Sequence, residues 1–237
     1  MNEAILSASS LVKCYHGTPA LDGLNLELPK GRIIGLLGPN GSGKTTFIKL
    51  AAGLLTPSAG GITIGGKPVG PETKALVSYL PDRPYFSKSM TVGQQLDFFQ
   101  DFYADFDRKR AEEMLSALNI PQKAKFKTLS KGNQEKVQLV LVMSRRAKLY
   151  LLDEPIGGVD PAARDYILNT IITNYDPEAT VLISTHLIAD VERVLDEFIF
   201  LHNGKIVHRG NADEVREETG KSLDKLFREV FQCLPNC

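Results

Sequence analysis

The sequence predicts an α/β fold, because short apolar runs typical of strands alternate with segments of helical periodicity along most of its 237 residues. A block from about 87 to 142 departs from this alternation, and its apolar residues recur at helical spacing, as in Leu96, Phe99, Tyr103 and Phe106. Hydrophobic residues make up 43% and charged residues 24% of the chain, so a sizeable core is expected. We therefore predict one large domain, or a domain with a subdomain, in which a helical unit is inserted into an α/β core.

The charge balance and the apolar segments limit the expected partners and location. Lysine plus arginine and aspartate plus glutamate both number 28, so a basic excess is missing and no nucleic acid is expected as a partner. The longest apolar stretches, such as Val137–Met143, are far shorter than the roughly 20 residues that span a bilayer. The N-terminus lacks the pattern of a signal peptide. We expect a cytosolic chain whose Cys14, Cys233 and Cys237 are reduced thiols.

The first third of the chain contains short apolar runs separated by turn residues. Gly17, Thr18 and Pro19 separate the first two runs, and the third run is followed by glycine, as expected of a buried strand before a loop. Gly53 marks the end of a helix. We predict a helix from about Gly43 to Ala52 and strands at Ile5–Val12, Leu24–Leu28, Arg32–Leu37, Ile62–Ile64 and Ala75–Leu80.

The alternation of strands and helices resumes after the helical block. Pro121 is expected to break that block into two parts. Asn203–Gly204 is the strongest hairpin signal, because both residue types tolerate the positive φ angles of a two-residue turn. We predict a strand at Leu149–Leu152, a helix at Ala162–Thr173, a strand at Thr180–Ser184, a helix at Leu187–Leu195, strands at Phe198–Leu201 and Ile206–His208, and a mostly helical tail from Asn211.

A glycine-rich segment lies between the third predicted strand and the first predicted helix. Eight of its residues fit the pattern G-x-x-x-x-G-K-[ST] in full, in the context that this pattern requires. The glycines let backbone N–H groups surround a polyphosphate, and the helix adds its positive dipole end. Lys44 would contact the β- and γ-phosphates, Thr45 would ligate Mg²⁺, and Thr46 would contact the α-phosphate. The candidate ATP-binding residues are Gly38, Pro39, Asn40, Gly41, Ser42, Gly43, Lys44, Thr45 and Thr46.

Two adjacent carboxylates follow the predicted strand at Leu149–Leu152. Successive side chains of a strand point to opposite faces, so Asp153 and Glu154 are expected to leave it in different directions. Downstream of a phosphate loop, Asp153 would hold Mg²⁺ directly or through water. Glu154 would orient and polarise the attacking water. The two motifs together predict hydrolysis of ATP with Mg²⁺.

Three further segments narrow the choice among nucleotide hydrolases. LSKGNQ at 129–134 resembles the LSGGQ signature of ATP-binding cassette (ABC) proteins, and it lies just upstream of the acidic strand, as in that family. GGVD at 157–160 resembles the D-loop, and STH at 184–186 resembles the H-loop. Tyr15 fits the aromatic residue that stacks on adenine. Over nearly its whole length, the chain resembles the ATP-binding subunits of ABC transporters.

This resemblance implies an architecture and a division of the chain. The implied fold is a P-loop NTPase (RecA-like) core with an antiparallel β subdomain and an inserted helical subdomain. The first half of the core, with the phosphate loop, would span 1–86, the helical signature subdomain 87–142, and the second half of the core 143–215. A C-terminal helical tail would span 216–237. For this tail we expect a solvated terminal helix rather than a regulatory or dimerising one.

The resemblance also implies an ATP site shared by two chains. Ser130 would cap the helix after the signature, and Gly132 would permit close approach to the γ-phosphate of ATP bound by a second cassette. Ser130, Gly132 and Asn133 would then bind ATP in a head-to-tail homodimer or a heterodimer of cassettes. His186 would contact the γ-phosphate and help hold the attacking water. The expected catalytic residues are Lys44, Glu154 and His186.

Three positions depart from the family pattern. Lys131 replaces the third signature residue, usually glycine, and Asn133 replaces the usual glutamine. Asp82 occupies the place of the Q-loop glutamine. It would be either a metal-site residue that reaches Mg²⁺ through water or an ordinary loop aspartate.

The expected function is ATP-driven transport, of the ABC-2 export kind, through a separate transmembrane permease subunit that would hold the chain at the inner face of the membrane. Two alternatives are a soluble ABC ATPase that acts on ribosomes or DNA and a regulatory module that binds ATP without efficient turnover. The permease would dock near the Q-loop. We expect most aromatic rings of this region to belong to the core, and Tyr85 and Phe86 are the candidates for an exposed docking groove. This region is aromatic and comprises Pro84, Tyr85, Phe86, Phe98, Phe99, Phe102 and Tyr103.

Overall fold

The computed structural model describes residues 3–83, 86–87 and 89–232, without the side chains of 161–163. The strands in these residues form two β-sheets. The strands are β1 (Ala4–Tyr15), β2 (Thr18–Pro29), β3 (Ile33–Leu37), β4 (Ala59–Ile64), β5 (Lys67–Pro68), β6 (Val77–Leu80), β7 (Leu149–Asp153), β8 (Thr180–Thr185), β9 (Glu197–His202) and β10 (Lys205–Asn211). The smaller sheet is antiparallel, with the order β2-β1-β4-β5. The larger sheet has the order β10-β9-β3-β8-β7-β6 and is parallel except at the β9–β10 hairpin.

Some helices cover the two faces of the larger sheet, and others form a separate group. They are α1 (Lys44–Ala51), α2 (Pro71–Lys74), α3 (Val92–Phe102), α4 (Arg108–Ala117), α5 (Lys131–Met143), α6 (Pro161–Asn174), α7 (Ile188–Val191), α8 (Ala212–Thr219) and α9 (Leu223–Gln232). Helix α1 packs in an apolar core that joins the two sheets, and α6 and α9 pack in a second core. Helices α3, α4 and α5 enclose a third core. These layers confirm the predicted α/β fold with an antiparallel sheet and an inserted helical unit; the domain boundaries stay a prediction.

The centre of the larger sheet brings the predicted motifs to one edge. Strands β3, β7 and β8 are buried at every residue, as their continuous apolar sequences predict. Because these strands are parallel and in register, Leu37 pairs with Thr185, and Asp153 pairs with Ser184. The phosphate loop after β3, the acidic end of β7 and the H-loop after β8 therefore meet at the carboxyl ends of the strands, where α/β sheets bind their ligands.

The helix predicted at Leu187–Leu195 is wrong in its length. Helix α7 covers only Ile188–Val191, and a 3₁₀ turn follows at Glu192–Val194. The backbone N–H of Asp196 donates to the carbonyl of Ile33 at 2.8 Å instead of continuing the helix. The carbonyl of Glu192 accepts a hydrogen bond from the guanidinium of Arg216. Long-range partners therefore satisfy the backbone groups that a longer helix would use.

The expectation of a solvated C-terminal helix is also wrong. Helix α9 buries Leu223 and Phe231 in the core next to the larger sheet. The ring of Phe227 meets that of Phe200 edge-on, with ring centroids 5.2 Å apart. Apolar residues at spacings of three and four place these side chains on one face of the helix. Cys233 and Cys237 lie outside the described residues, and Cys14 is a half-buried free thiol.

Candidate active site

The phosphate loop joins the buried strand β3 to helix α1, as predicted. Gly43 stands at the N-cap of α1 with φ 109°, and a Cβ there would lie 2.5 Å from the carbonyl oxygen of Ala20. Only glycine fits this position without movement of the backbone. Lys44 Nζ donates to the carbonyl oxygens of Gly38 and Pro39 at 2.8 and 3.1 Å. The loop thus holds a buried ammonium group at the end of the helix, and burial lowers the pKa of Lys44 while Glu154 opposes this shift.

Asp153 lies fully buried below the phosphate loop. Its Oδ1 accepts hydrogen bonds from Ser184 Oγ at 2.6 Å and from Thr45 Oγ1 at 3.0 Å. Its Oδ2 has no hydrogen-bond partner among the described residues. Burial raises the pKa of Asp153, although the bonds from Ser184 and Thr45 oppose this shift. A buried carboxylate with one unpaired oxygen beside a threonine hydroxyl is the type of oxygen-donor set that Mg²⁺ prefers, so these residues fit the metal.

Mg²⁺ usually takes one or two carboxylates and completes its shell with water and substrate phosphates. Within the described ranges, no group of three or more His, Cys, Asp or Glu side chains could hold a metal by itself. Thr45 and Asp153 therefore match a site that the phosphates of ATP would complete. Asp82 lies near enough to Asp153 to raise the pKa of that carboxyl further.

Glu154 points its carboxylate toward Lys44 and the H-loop. Thr185 Oγ1 donates to Glu154 Oε2 at 3.1 Å, and His186 Nδ1 lies 3.1 Å from the same oxygen. Lys44 Nζ lies 3.6 Å from Glu154 Oε1. The backbone of Glu154 has φ 50°, which is uncommon for a residue other than glycine. Strained backbone of this kind is concentrated at functional sites, where the surrounding structure holds it in place.

The predicted nucleotide residues surround an open pocket of about 430 Å³. Gly38, Pro39 and Ser42 complete the loop behind it, and His186 reaches the pocket wall through Glu154. Tyr15 stands at the pocket with 43% of its surface exposed, so its ring is accessible. The lining residues are Tyr15, Ala20, Asn40, Gly41, Gly43, Lys44, Thr45, Thr46, Asp82 and Glu154. The structure thus brings together every predicted residue of the loop, the acidic strand end and the H-loop.

The signature residues lie outside this pocket, at the N-terminus of α5. Ser130 is the N-cap, and its Oγ accepts a hydrogen bond from the backbone N–H of Asn133 at 3.3 Å, as predicted. A Cβ added to Gly132 would meet nothing within 4 Å among the described residues. Lys131 is exposed, and its Nζ lies 3.8 Å from Glu135 Oε1. Ser130, Gly132 and Asn133 therefore form a separate surface that does not reach the ATP pocket of the same chain.

Two kinds of functional side chain were missed from the sequence. Ser184 and Thr185 orient the two carboxylates, but from the sequence they were predicted only as parts of the H-loop motif. Their signal was a pair of hydroxyls at the end of an otherwise apolar strand. Gln138 is buried beside the site, and its signal was one amide within the apolar stretch Val137–Met143.

The expectation that Phe86 is an exposed docking residue is wrong. Phe86 is half-buried and packs on Phe99 and Phe126, with ring centroids 5.7 and 5.9 Å apart, in the core of the helical unit. Pro84 and Tyr85 lie outside the described residues. The exposed apolar side chains near this region are Leu54, Phe98 and Phe102, at 56%, 43% and 70% exposure. Leu54 and Phe102, with Tyr79 and Tyr103, line a groove of about 480 Å³.

Helices long and apolar enough to cross a membrane do not occur in the part of the chain that the structure describes.

Comparisons with known proteins show the family of this chain. Residues 21–157 match the ABC transporter family. The chain is 32% identical to the ABC-type transporter ATP-binding protein EcsA of Bacillus subtilis (strain 168) over 96% of each chain. It is 31% identical to the SkfA peptide export ATP-binding protein SkfE of the same organism, covering 86% of this chain and 87% of SkfE.

Solved structures show the same architecture. The structure of an ATP-binding subunit of an ABC transporter is 30% identical, with a TM-score of 0.86 over 96% of this chain and 99% of that one. A nucleotide-free ATP-binding cassette from an ABC transporter, at 24% identity, has a TM-score of 0.78 over 97% and 99% of the two chains, which supports the fold. The chain therefore belongs to the ABC transporter family, as an ATP-binding subunit whose hydrolysis of ATP powers transport through a separate membrane subunit.

Proposed function

We propose that the chain binds Mg·ATP in the pocket around the phosphate loop and that Glu154 activates the water that attacks the γ-phosphate. The observation that carries this proposal is the position of the Glu154 carboxylate, which Thr185 and His186 hold at the pocket wall 3.6 Å from Lys44. Hydrolysis requires a positioned base and a positively charged side chain that contacts the negative transferred phosphoryl group. Glu154 and Lys44 supply these two groups.

Binding uses groups that already converge on the loop. Lys44 donates to two backbone carbonyls, and the more negative phosphate oxygens would take over these hydrogen bonds. The amides at the start of α1 would surround the β-phosphate. Thr45 and Asp153 would hold Mg²⁺, which neutralises phosphate charge when it is bound. Tyr15 would stack on the adenine ring from the exposed side of the pocket.

The chemical step depends on Glu154 and His186. Glu154 would accept a hydrogen bond from the attacking water and draw off its proton while the bond between the γ-phosphorus and the bridging oxygen breaks. Thr185 and His186 keep the carboxylate in one orientation. His186 is 42% exposed, so its second ring nitrogen is free to reach the γ-phosphate.

The signature end of α5 would complete the site of a second cassette. Ser130 is exposed, and the first backbone amides of a helix have no partner within that helix. The open space around Gly132 suits a close approach of phosphate oxygens rather than the packing of its own chain. We propose a head-to-tail pair of cassettes, with two ATP molecules between them.

The groove lined by Leu54, Tyr79, Phe102 and Tyr103 is the proposed contact for the permease, at the cytoplasmic face of the membrane. Exposed apolar surface of this kind marks interaction sites. Export is the proposed direction, supported by the name of the relative SkfE, a SkfA peptide export protein, and by that of LnrL, a linearmycin resistance protein at 30% identity. Phe102→Asp should reduce co-purification with the co-expressed permease, whereas Ile172→Asp, at another exposed apolar residue, should not.

Phosphate release tests the proposed chemistry. Wild-type protein should hydrolyse ATP, and Glu154→Gln should lower turnover by about 10²- to 10⁴-fold, which is the usual contribution of a general base. ATP affinity should be retained, because Lys44 and the loop remain. Wild-type protein that binds ATP without turnover, alone and with its permease, would instead favour the regulatory alternative.

A further inference from the structure

A small cleft lies between helix α5 and the loops that follow β6 and β7. Its volume of about 20 Å³ is enough for one water molecule. Four polar side chains line it: Asp82, Glu135, Gln138 and Glu154. The cleft is separate from the ATP pocket, but Asp82 and Glu154 line both spaces and so form the wall between them.

Gln138 is the buried polar side chain of this cleft. It lies two turns along α5 from the signature, and only 2% of it is exposed. Its Oε1 has no hydrogen-bond partner among the residues that the structure describes. Buried acceptors are nearly always satisfied by protein or by ordered water, and the cleft offers room for water at this amide.

Glu135 lies on α5 itself, so the partner that would link α5 to the ATP pocket is a carboxylate of the wall. The oxygens of Glu154 are already engaged with Lys44, Thr185 and His186. Asp82 has an ion pair of 3.8 Å with Arg83, whose side chain is 89% exposed, and such a contact is weak. A carboxylate accepts several hydrogen bonds, so Asp82 has the free capacity for a water that Gln138 holds.

We propose that Gln138 is a positioning residue of the ATPase site, which holds a water between α5 and Asp82 and so fixes the wall of the ATP pocket. This inference rests on the proposed function and deepens it. The water donates one hydrogen to Gln138 Oε1 and the other to Asp82. Helix α5 begins at the signature, so a movement of its N-terminus reaches Asp82 through this bridge.

The test replaces the amide by an apolar side chain of similar length. Gln138→Met should lower the maximal rate of ATP hydrolysis about 10-fold, as expected for the loss of one positioning hydrogen bond, and leave the Kd for ATP within about twofold of wild type. Gln95→Met is the matched control, because Gln95 is also fully buried and has no partner for its amide atoms among the described residues. Gln95 belongs to α3, away from this cleft, and its variant should keep the wild-type rate.

A double variant tests the shared water. If Gln138 acts through Asp82, then Asp82→Ala/Gln138→Met should lose no more activity than the more impaired single variant. The urea midpoints of the nucleotide-free wild type, the single variants Asp82→Ala and Gln138→Met, and the double variant should also be non-additive. This readout is independent of activity. Multiplied losses with additive midpoints would overturn the proposal, as would a wild-type rate in Gln138→Met.

The proposed function can fail separately from this inference. If wild-type protein and Glu154→Gln hydrolyse ATP equally, the proposed role of Glu154 is lost. If Glu154→Gln is inactive while Gln138→Met is unaffected, only the inference about Gln138 is overturned.

Discussion

Two helix N-termini of this chain are suited to phosphate, and they differ in how much of a site surrounds them. At the start of α1, the chain itself supplies an ammonium group, a hydroxyl and two carboxylates, from Lys44, Thr45, Asp153 and Glu154. At the start of α5, the chain supplies the cap by Ser130 and the ion pair of Lys131 with Glu135, and Gly132 faces open space within the part of the chain that is described. Both ends present unpaired amides and a positive dipole.

The difference indicates how the work of the site is divided. The α1 end has the charges needed to bind ATP within one chain. The α5 end has the amides for binding phosphate, and its lysine, Lys131, is paired with Glu135. No arrangement like that of Lys44, Thr45, Asp153 and Glu154 surrounds it among the described residues. Substitution of Lys44 at the α1 end should therefore weaken ATP binding, whereas substitutions at the α5 end should alter turnover alone.

Gly132→Asp should produce the largest effect and tests the α5 end. A carboxylate there would face the phosphate of the ATP held by a second cassette, and the repulsion should lower turnover by at least about 100-fold. Phosphate release and ATP binding to the isolated chain measure the two properties, and the Kd for ATP should stay unchanged.

Gly61→Asp is the control, because an added Cβ at Gly61 also meets nothing within 4 Å in the described structure. Its turnover should match wild type. A higher Kd for ATP in Gly132→Asp would contradict this difference between the two helix ends, because the α5 end would then contribute to ATP binding within one chain.

Lys44→Ala should weaken ATP binding by about 10- to 100-fold, since a hydrogen bond to a charged group contributes about 1.5–3 kcal/mol. Titration of ATP into the purified protein measures this change. Lys49→Ala, in the last turn of the same helix, is the control and should bind ATP as wild type does. Equal affinities for wild type and Lys44→Ala would contradict the assignment of the α1 end as the binding end.

The change that Asp153→Asn should cause in stability is the smallest of these effects. The ionised carboxylate is fully buried with one unpaired oxygen, so its neutral replacement should raise the Tm of nucleotide-free protein by about 2–4 °C, or ~1 kcal/mol. Mg²⁺ should no longer strengthen ATP binding. Asp101→Asn, on the exposed face of α3, is the control and should leave both properties unchanged. A lower Tm for Asp153→Asn would contradict the prediction that the buried ionised carboxylate destabilises the nucleotide-free protein.

Local sequence predicts the α1 end well, because its chemistry lies in consecutive residues. The spacing of Gly38, Gly43 and Lys44 determines a loop, and the apolar strand before Asp153 determines where the carboxylate lies. The wall of the pocket is harder to predict, since Ser184 and Thr185 act on carboxylates that are 31 residues away in sequence. Strand register, rather than spacing, brings them together.

The errors also have long-range causes. Helix α7 ends early because Asp196 and Glu192 bond to groups in β3 and α8, which local propensity does not reveal. Asp82 and Arg83 are exposed, but Phe86, a few residues later, packs into the core of the helical unit. The amphipathic pattern of α9 was visible in the sequence; only the surface that covers its apolar face was not.

The mass of Glu154→Gln in solution, with and without Mg·ATP, tests the central claim most directly. If the α1 end of one chain and the α5 end of another share each ATP, the protein should be a monomer without nucleotide and a dimer with Mg·ATP. The additional substitution Gly132→Asp should prevent the dimer while ATP still binds. A Glu154→Gln protein that binds ATP but stays monomeric, or a dimer that survives Gly132→Asp, would contradict a self-complementary pair.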